Sequence, residues 1–395
     1  MLRSFFLLAI LSSLTGPAVA QVRTGLDVLI GSGFEALAGR KVGLITNHTG
    51  RTADGRGIVD VFLAQDRFEL VTLFSPEHGF AGELDQAEIA DGRHSSGLLI
   101  RSLYGETRTP TPEMLEGIDT LVFDIQDIGC RFYTYVSTMR LAMEAAAEHG
   151  IRFVVLDRPN PIGGERVEGP VLAAGDESFI ATHTIPLRHG MTAGELAAMM
   201  NAEREIGCEL AVVEMQGWRR AMHYDATGLY WVNPSPNMRT LNQALLYPGV
   251  ALVEFTNVSV GRGTDTPFEI LGAPWLDGRQ LAALLRGRHL PGVTFVPTRF
   301  VPTSSRHAGE RCDGVQILVT DAAVVDPVRT GITIAWALRR LRPQDWEIER
   351  FVRLLAEPQA FQAVVDGAYP EQVVGLWQDE LEDFRERRAA FLLYR

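Results

Sequence analysis

The sequence predicts an α/β protein. Its N-terminal domain is a Rossmann-like, doubly wound, mostly parallel sheet, and a smaller α+β domain follows. Three observations predict this. From Lys41 onward, short strand-like runs alternate with segments of helical spacing. Those runs are apolar throughout rather than every second residue, which is the pattern of strands covered on both faces. After about residue 245 the alternation stops and the texture changes.

The elements justify this in order. KVGLITN, from Lys41, is a β-rich run; IVDVFLAQ has helical spacing; FELVTLF is the second strand. GLLIRSLYG is extended, and PTPEMLEG predicts a short helix with proline in its first turn. DTLVFDI is a continuous apolar strand. YVSTMRLAMEAAAEHG is a helix closing on Gly150, and IRFVVLD is the next strand. MTAGELAAMMNAE predicts a helix capped by Thr192, and CELAVVEM a further strand. Beyond residue 245, GVALVEFTNVSVGRGT reads as β-rich, DGRQLAALL as a helix, and GVTFVPTRFVP and GVQILVTD as extended. The tail from Thr330 is mostly helical.

Residues 1–20 read as a cleaved secretory signal. Arg3 gives a basic start, FFLLAILSSL an apolar core, and Ala18-Val19-Ala20 a cleavage site. The apolar stretch is short for a bilayer span, and Gly16 and Pro17 break it. The boundaries expected are 1–20 for the signal, 21–245 for the Rossmann-like domain and 246–395 for the C-terminal domain. An exported protein, periplasmic or extracellular, with no membrane insertion after cleavage, is the expectation. The formal net charge is −12, one unit more negative without Arg3, which argues against nucleic acid and anionic membranes as partners. Lys41 is the only lysine, so an anionic ligand has to be met by arginines. Cys130, Cys208 and Cys312 show neither a CxxC nor a zinc spacing, and at least one of the three must stay free.

In an open α/β sheet, ligands bind beyond the carboxyl ends of the strands. Three apolar runs end there in polar residues: Ser75-Pro76-Glu77-His78, Asp124-Ile125-Gln126-Asp127 with Arg131 and Tyr133 just after, and Asp157-Arg158-Pro159-Asn160. VEGP adds Glu168. WVNPSPNM adds Trp231, Asn233, Ser235 and Asn237, an aromatic with amides that suits a sugar ring. EFTNVSVGRGTDTPFE adds Glu254, Asn257, Arg262, Thr264 and Glu269. Each also has a structural reading: a strand-end Asp caps helices and forms turns, and Asp157-Arg158 reads equally as an internal ion pair. GRGT lacks the GK[ST] of a phosphate loop, and no G-x-G-x-x-G follows the first strand. No G-x-S-x-G and no HExxH occur, so neither serine-hydrolase nor zincin chemistry is supported, and no cofactor or metal is expected. What remains is a rim rich in carboxylates, arginine and amides. That inventory suits glycoside cleavage, in which one carboxylic acid protonates the leaving oxygen while a second carboxylate acts as base or nucleophile.

Taken in order, SPEHGF, SLYG, PTPEML, DTLVFDIQDIGCRFYTY, LDRPNP, VEGP, PSPNM, YPG and EFTNVSVGRGT resemble the peptidoglycan exo-β-N-acetylmuramidase family over essentially the whole mature chain. The resemblance implies release of terminal β-1,4-linked N-acetylmuramic acid from the non-reducing end of peptidoglycan fragments, in a cleft near the junction of two domains. It implies Glu77 as the catalytic acid, with Glu254, Glu168, Asp124, Asp127 and Glu269 as candidates for the second carboxylate, the first two ranked ahead. His78, Arg131, Tyr133, Asn160 and Asn237 are implied as substrate-binding. One of Arg131, Arg158 and Arg262 is expected to grip the lactyl carboxylate of muramic acid through two parallel hydrogen bonds. One departure stands out: Phe255 occupies the place of a glycine, where it either narrows the pocket or turns into the core. The irregular segment AGELDQAEIADGRHSSG after SPEHGF reads as a substrate-selecting loop. Two competing readings use the same residues: a non-catalytic periplasmic sugar- or muropeptide-binding protein, and an amidase or esterase acting on wall fragments.

Overall fold

Seven strands form the central sheet of the computed structural model, which describes residues 21–395, so the expected signal lies outside the described residues. In chain order the strands of the molecule are β1 Lys41–Thr46, β2 Glu69–Ser75, β3 Gly92–Arg93, β4 Leu99–Ser102, β5 Thr120–Asp124, β6 Arg152–Leu156, β7 Glu168–Val171, β8 Pro186–Arg188, β9 Leu210–Val213, β10 Ile270–Ala273, β11 Val293–Phe300 and β12 Cys312–Val319. The sheet runs β3-β4-β2-β1-β5-β6-β9. Every pairing is parallel except β3 with β4 at one edge. The chain leaves β1 toward β2 on one side and returns to β5 on the other, so the strand order reverses beside β1. This is the doubly wound sheet the alternation predicts, and the reversal is where such sheets bind ligands.

Both faces are covered. Leu44, Val122 and Val154 face one core, closed by the helices Gly25–Gly31 and Ile58–Leu63. Ile45, Phe123 and Val155 face a larger core that holds the helices Tyr135–Glu148 and Ala193–Glu203. That larger core continues without a break to Phe295, Phe351 and Trp377, far beyond residue 245. The smaller unit supplies the antiparallel sheet β10-β12-β11 and a set of helices. The expected boundary at 245 falls inside the helix Leu241–Val250, which crosses the helix Pro327–Leu341 at Gly249 and Gly331. A Cβ on Gly249 would lie 1.7 Å from the Pro327 carbonyl oxygen, so only glycine permits this approach.

Two elements differ from expectation. Residues 111–117 form turns rather than a helix, for one turn between Pro110 and Gly117 leaves no room for a nucleus to propagate. The run GVALVEFTNVSV is the end of a helix, a 3₁₀ turn at Ala251–Val253 and irregular chain, touching a strand only through the bridge from Ser259 to Gly272. Its apolar residues are buried without forming strands, an ambiguity inherent to short apolar runs. All three cysteines are buried and free. Among the described residues no helix is long and apolar enough to cross a membrane.

Candidate active site

Glu77 is the second residue past β2, on the carboxyl edge of the sheet beside the reversal point. The Gly79 amide donates to the Pro76 carbonyl at 3.0 Å and closes a tight turn with Glu77 at its tip. His78, the third residue of that turn, is left-handed (φ 69°), a conformation histidine adopts more readily than most side chains. His78 Nδ1 lies 2.7 Å from the Leu84 carbonyl oxygen and therefore carries its proton there. The loop then folds against His48 at the end of β1, where a Cβ on Gly82 would lie 1.9 Å from the ring. The expected binding residue His78 thus shapes the loop that presents Glu77.

The Thr134 hydroxyl donates to the Glu77 carboxyl group. Tyr104 and Tyr135 face the same carboxyl. Burial, then the charge of Glu77, pushes the Tyr104 phenol up to about 12 and raises that of Tyr135 as well. Across the cleft, Glu254 Oε1 lies 2.5 Å from Arg262 Nε. The same guanidinium lies 3.4 Å from Asp85, to which Asn237 Nδ2 also donates at 3.1 Å. Burial raises the Glu254 pKa; Arg262 pulls it back, and the charges of Asp85 and Glu77 push it up again. Beneath lies a stack of edge-on aromatic rings: Tyr135 on Tyr133 at 5.0 Å, Tyr133 on Tyr247 at 6.1 Å, and Tyr247 on Phe268 at 4.7 Å. This apolar floor supplies the low dielectric that makes three carboxylates around one arginine costly to ionise together.

Several expected site residues are placed elsewhere. Asp124 is wholly buried and bound by two nitrogens of Arg158, one at 3.0 Å. Arg131 is buried too, donating to the carbonyls of Pro170, Ile185, Leu354 and Leu355 at 2.8 to 3.2 Å, and burial pushes its pKa down to about 10. Glu168 on β7 accepts from Arg188 on β8 at 2.7 Å. Asp127 accepts from the Gly129 amide at 2.7 Å and lies 3.5 Å from His189. Asn160 donates to Met191 and accepts from the Ile162 amide. Glu269 accepts from Thr240, the cap of the helix Leu241–Val250, at 2.8 Å. Tyr133 stands in the aromatic floor. At the β5 and β6 end of the rim later chain covers the strand ends. Tyr394, for example, donates to Asp157 at 2.6 Å.

Of the expected residues, the structure therefore brings together Glu77, His78, Asn237, Glu254 and Arg262. It adds Asp85, Tyr104, Thr134 and Tyr135, which were not singled out. Tyr104 lies in SLYG, Thr134 and Tyr135 in FYTY, and Asp85 in the irregular loop after SPEHGF, so the signal was their position within motifs already picked out. Phe255 packs against the core with the Arg353 guanidinium 4.1 Å from its ring centroid. It also lines a cavity of about 630 Å³ beyond Glu254, with Arg306 and His307 on the other wall. A second cavity, of about 660 Å³, opens on the other side of the Glu77 loop, between Gly82 and Tyr230.

Family models described as exo-β-N-acetylmuramidase NamZ, N-terminal, and exo-β-N-acetylmuramidase NamZ, C-terminal, match residues 42–242 and 245–394. The chain belongs to the NamZ family. It is 42% identical over 379 residues to the peptidoglycan β-N-acetylmuramidase NamZ of Bacillus subtilis (strain 168), covering 95% of this chain and 92% of that protein. Two DUF1343 family proteins from Bacteroides fragilis NCTC 9343 share the fold. One aligns with TM-score 0.84 at 38% identity, covering 96% of this chain and 100% of its own; the other has TM-score 0.78 at 28% identity, covering 95% and 99%. The NamZ relationship spans both units and the helix that joins them, so the Glu77 turn and the Glu254–Arg262 pair both lie within the matched segments.

Proposed function

We propose that the chain is an exo-acting glycoside hydrolase that releases terminal N-acetylmuramic acid from the non-reducing end of peptidoglycan fragments, with Glu77 as general acid. The relationship to the Bacillus subtilis NamZ supports the activity and the substrate class. One observation supports the mechanism: Glu254 and Asp85 both lie against the Arg262 guanidinium, and Glu77 is near enough for its charge to act on Glu254 and Arg262.

In this reading the Thr134 hydroxyl fixes one carboxyl oxygen of Glu77. The other is turned to the bridging oxygen of the substrate and protonates it as the bond to the leaving sugar breaks. Glu254 is the second carboxylate, facing the positive charge that develops on the departing ring. Of the three arginines among which one is expected to meet the lactyl group, Arg131 and Arg158 are buried, their terminal nitrogens bonded inside the protein. The task falls to Arg262, which retains a quarter of its side-chain exposure. Export rests on the signal-like residues 1–20 and places the enzyme among wall fragments in the periplasm or outside the cell.

The deciding experiment incubates the mature protein with a MurNAc–GlcNAc disaccharide and follows free MurNAc by mass spectrometry. Release of MurNAc by the wild type and its loss in Glu77→Gln, with ligand affinity retained, is the expected result. Binding without release points to a binding protein, and products lacking a new reducing sugar point to an amidase or esterase.

A further inference from the structure

The cavity between the Glu77 loop and the segment 230–236 takes no part in the chemistry above. Its volume is about 660 Å³, and His48, Gly82, Tyr230, Trp231, Asn233 and Ser235 are among its walls. Such a volume suits a small-molecule subsite, typically about 300–1,000 Å³. Tyr230 is 73% exposed, more than any other exposed large hydrophobic among the described residues.

The wall that carries it is irregular yet firmly held. The Tyr224 hydroxyl donates to the Tyr230 carbonyl at 3.1 Å. His48 Nε2 lies 2.6 Å from the Asn233 carbonyl oxygen, and the Tyr135 hydroxyl donates to the Pro234 carbonyl at 2.5 Å. Three tethers within five residues fix a shelf without secondary structure, so little order has to be gained on binding. The last tether joins the shelf to the catalytic pocket, since Tyr135 also faces Glu77.

The cavity is sparsely charged: of its twelve lining residues, His48, Arg51 and Glu83 are ionisable, and Arg51 and Glu83 oppose each other in sign. Arg51 lines it, its Nε donating to the His48 carbonyl at 2.9 Å and its Nη1 to the Gly55 carbonyl at 3.0 Å. Burial holds His48 below its ordinary pKa. Glu83 is exposed at the rim. The cavity beyond Glu254 is more densely charged: four of its six lining residues, Glu254, Arg306, His307 and Glu310, are ionisable. The two cavities therefore differ in degree: ionisable side chains predominate on the Glu254 side, and aromatic, amide and small side chains on the Tyr230 side.

We propose that the Tyr230 cavity is the leaving-group subsite, which takes the neutral N-acetylglucosamine ring by stacking on Tyr230, while the carboxylate-bearing muramic acid lies toward Arg262. This rests on the muramidase reading and adds to it the direction in which the disaccharide lies. An aromatic face meets the C–H face of a neutral pyranose, and the exposed Asn233 amide meets its hydroxyls.

Two measurements on the full chain test it. In the first, kcat/KM is compared between MurNAc–GlcNAc and methyl β-N-acetylmuramide, which lacks the second sugar, for wild type, Tyr230→Ala and Tyr230→Phe. Tyr230→Ala loses about three- to tenfold more on the disaccharide than on the methyl glycoside, through KM, and Tyr230→Phe restores it. Equal loss on both substrates, or no loss on either, overturns the subsite. In the second, methyl β-N-acetylglucosaminide is titrated into wild type and Tyr230→Ala and followed by ligand-observed NMR. Binding that requires Tyr230 supports the subsite even where neither substrate is turned over, an outcome that sinks only the muramidase reading. Binding indifferent to Tyr230 overturns the subsite.

Discussion

Two groups of acids lie near the carboxyl edge of this molecule, and they have opposite company. Asp124 meets Arg158 one to one, wholly buried. Glu195 meets Arg220 in the same way, its carboxyl at 2.6 Å and inaccessible to solvent. In the pocket, Glu77, Glu254 and Asp85 gather around the single guanidinium of Arg262, and part of that cluster faces water. A matched buried pair is a structural strut. An excess of acid over base beside an apolar floor raises the pKa of the buried acid, here Glu254. An acid at a strand end is thus a weak sign of chemistry by itself; the ratio of acids to cations around it is the stronger one.

The largest effect that can break the comparison is on turnover. Glu77→Gln should lower kcat about 10²–10⁴-fold, the usual contribution of a positioned acid, with the melting temperature near that of the wild type. Next comes stability. Asp124→Asn leaves the Arg158 charge buried without its partner and should cost about 3–5 kcal/mol in denaturant unfolding. Turnover per folded molecule should remain close to wild type. A variant of Asp124 that loses activity while keeping its unfolding midpoint would place Asp124 in the chemistry and dissolve the distinction.

Glu168 sharpens the same contrast through pH. Burial pushes its carboxyl from the ordinary 4.5 up to about 8; Arg188 pulls it back and the nearby Asp326 adds to the rise. A raised acid means that the folded protein holds a proton which the unfolded chain releases. The stabilisation is full below about pH 4.5 and is lost as pH climbs toward 8, at a slope of at most about 1.4 kcal/mol per pH unit for this one group. Asp157, pushed up by burial to about 6, adds loss in the lower part of that window. Melting temperatures of wild type and Glu168→Gln across pH 4 to 8 check this. The wild type should fall more steeply, and parallel curves would show that folding leaves the Glu168 pKa where the unfolded chain has it.

Much of this was legible in the chain. Continuous apolar strands gave the parallel sheet, and Thr192 and Asp277 both cap the helices they precede. The SPE turn placed Glu77 at the open edge. What was illegible depended on contacts between distant segments. Nothing near Arg131 announces that its guanidinium is held by the carbonyls of Leu354 and Leu355, more than two hundred residues on. Nothing near Asp157 announces Tyr394. The local pattern shows which residues reach the rim; only the later chain decides which half of the rim is roofed. Asp85 escaped notice for the converse reason. It lies in a loop with no periodicity, and it gains meaning only beside Arg262 and Asn237.

Asp85 also carries the smallest and most discriminating effect. Its side chain keeps about half its exposure, 55%, so solvent screens its charge. Glu254 is held up first by burial, is lowered by Arg262, and is raised again by Asp85 and Glu77. Asp85→Asn removes one of the two charges that raise it and leaves Arg262 in place, so the Glu254 pKa must fall. Activity that requires ionised Glu254 rises with pH through that pKa, and the acidic limb of the kcat profile should therefore move to lower pH. Arg262→Gln removes the opposing cation and should move the limb the other way. Opposite displacements in the two variants would tie both groups to one titrating carboxyl. A limb that ignores Asp85 would mean that its charge does not reach Glu254, and the excess of negative charge would then be an accident of the loop rather than the feature that separates this pocket from the buried pairs.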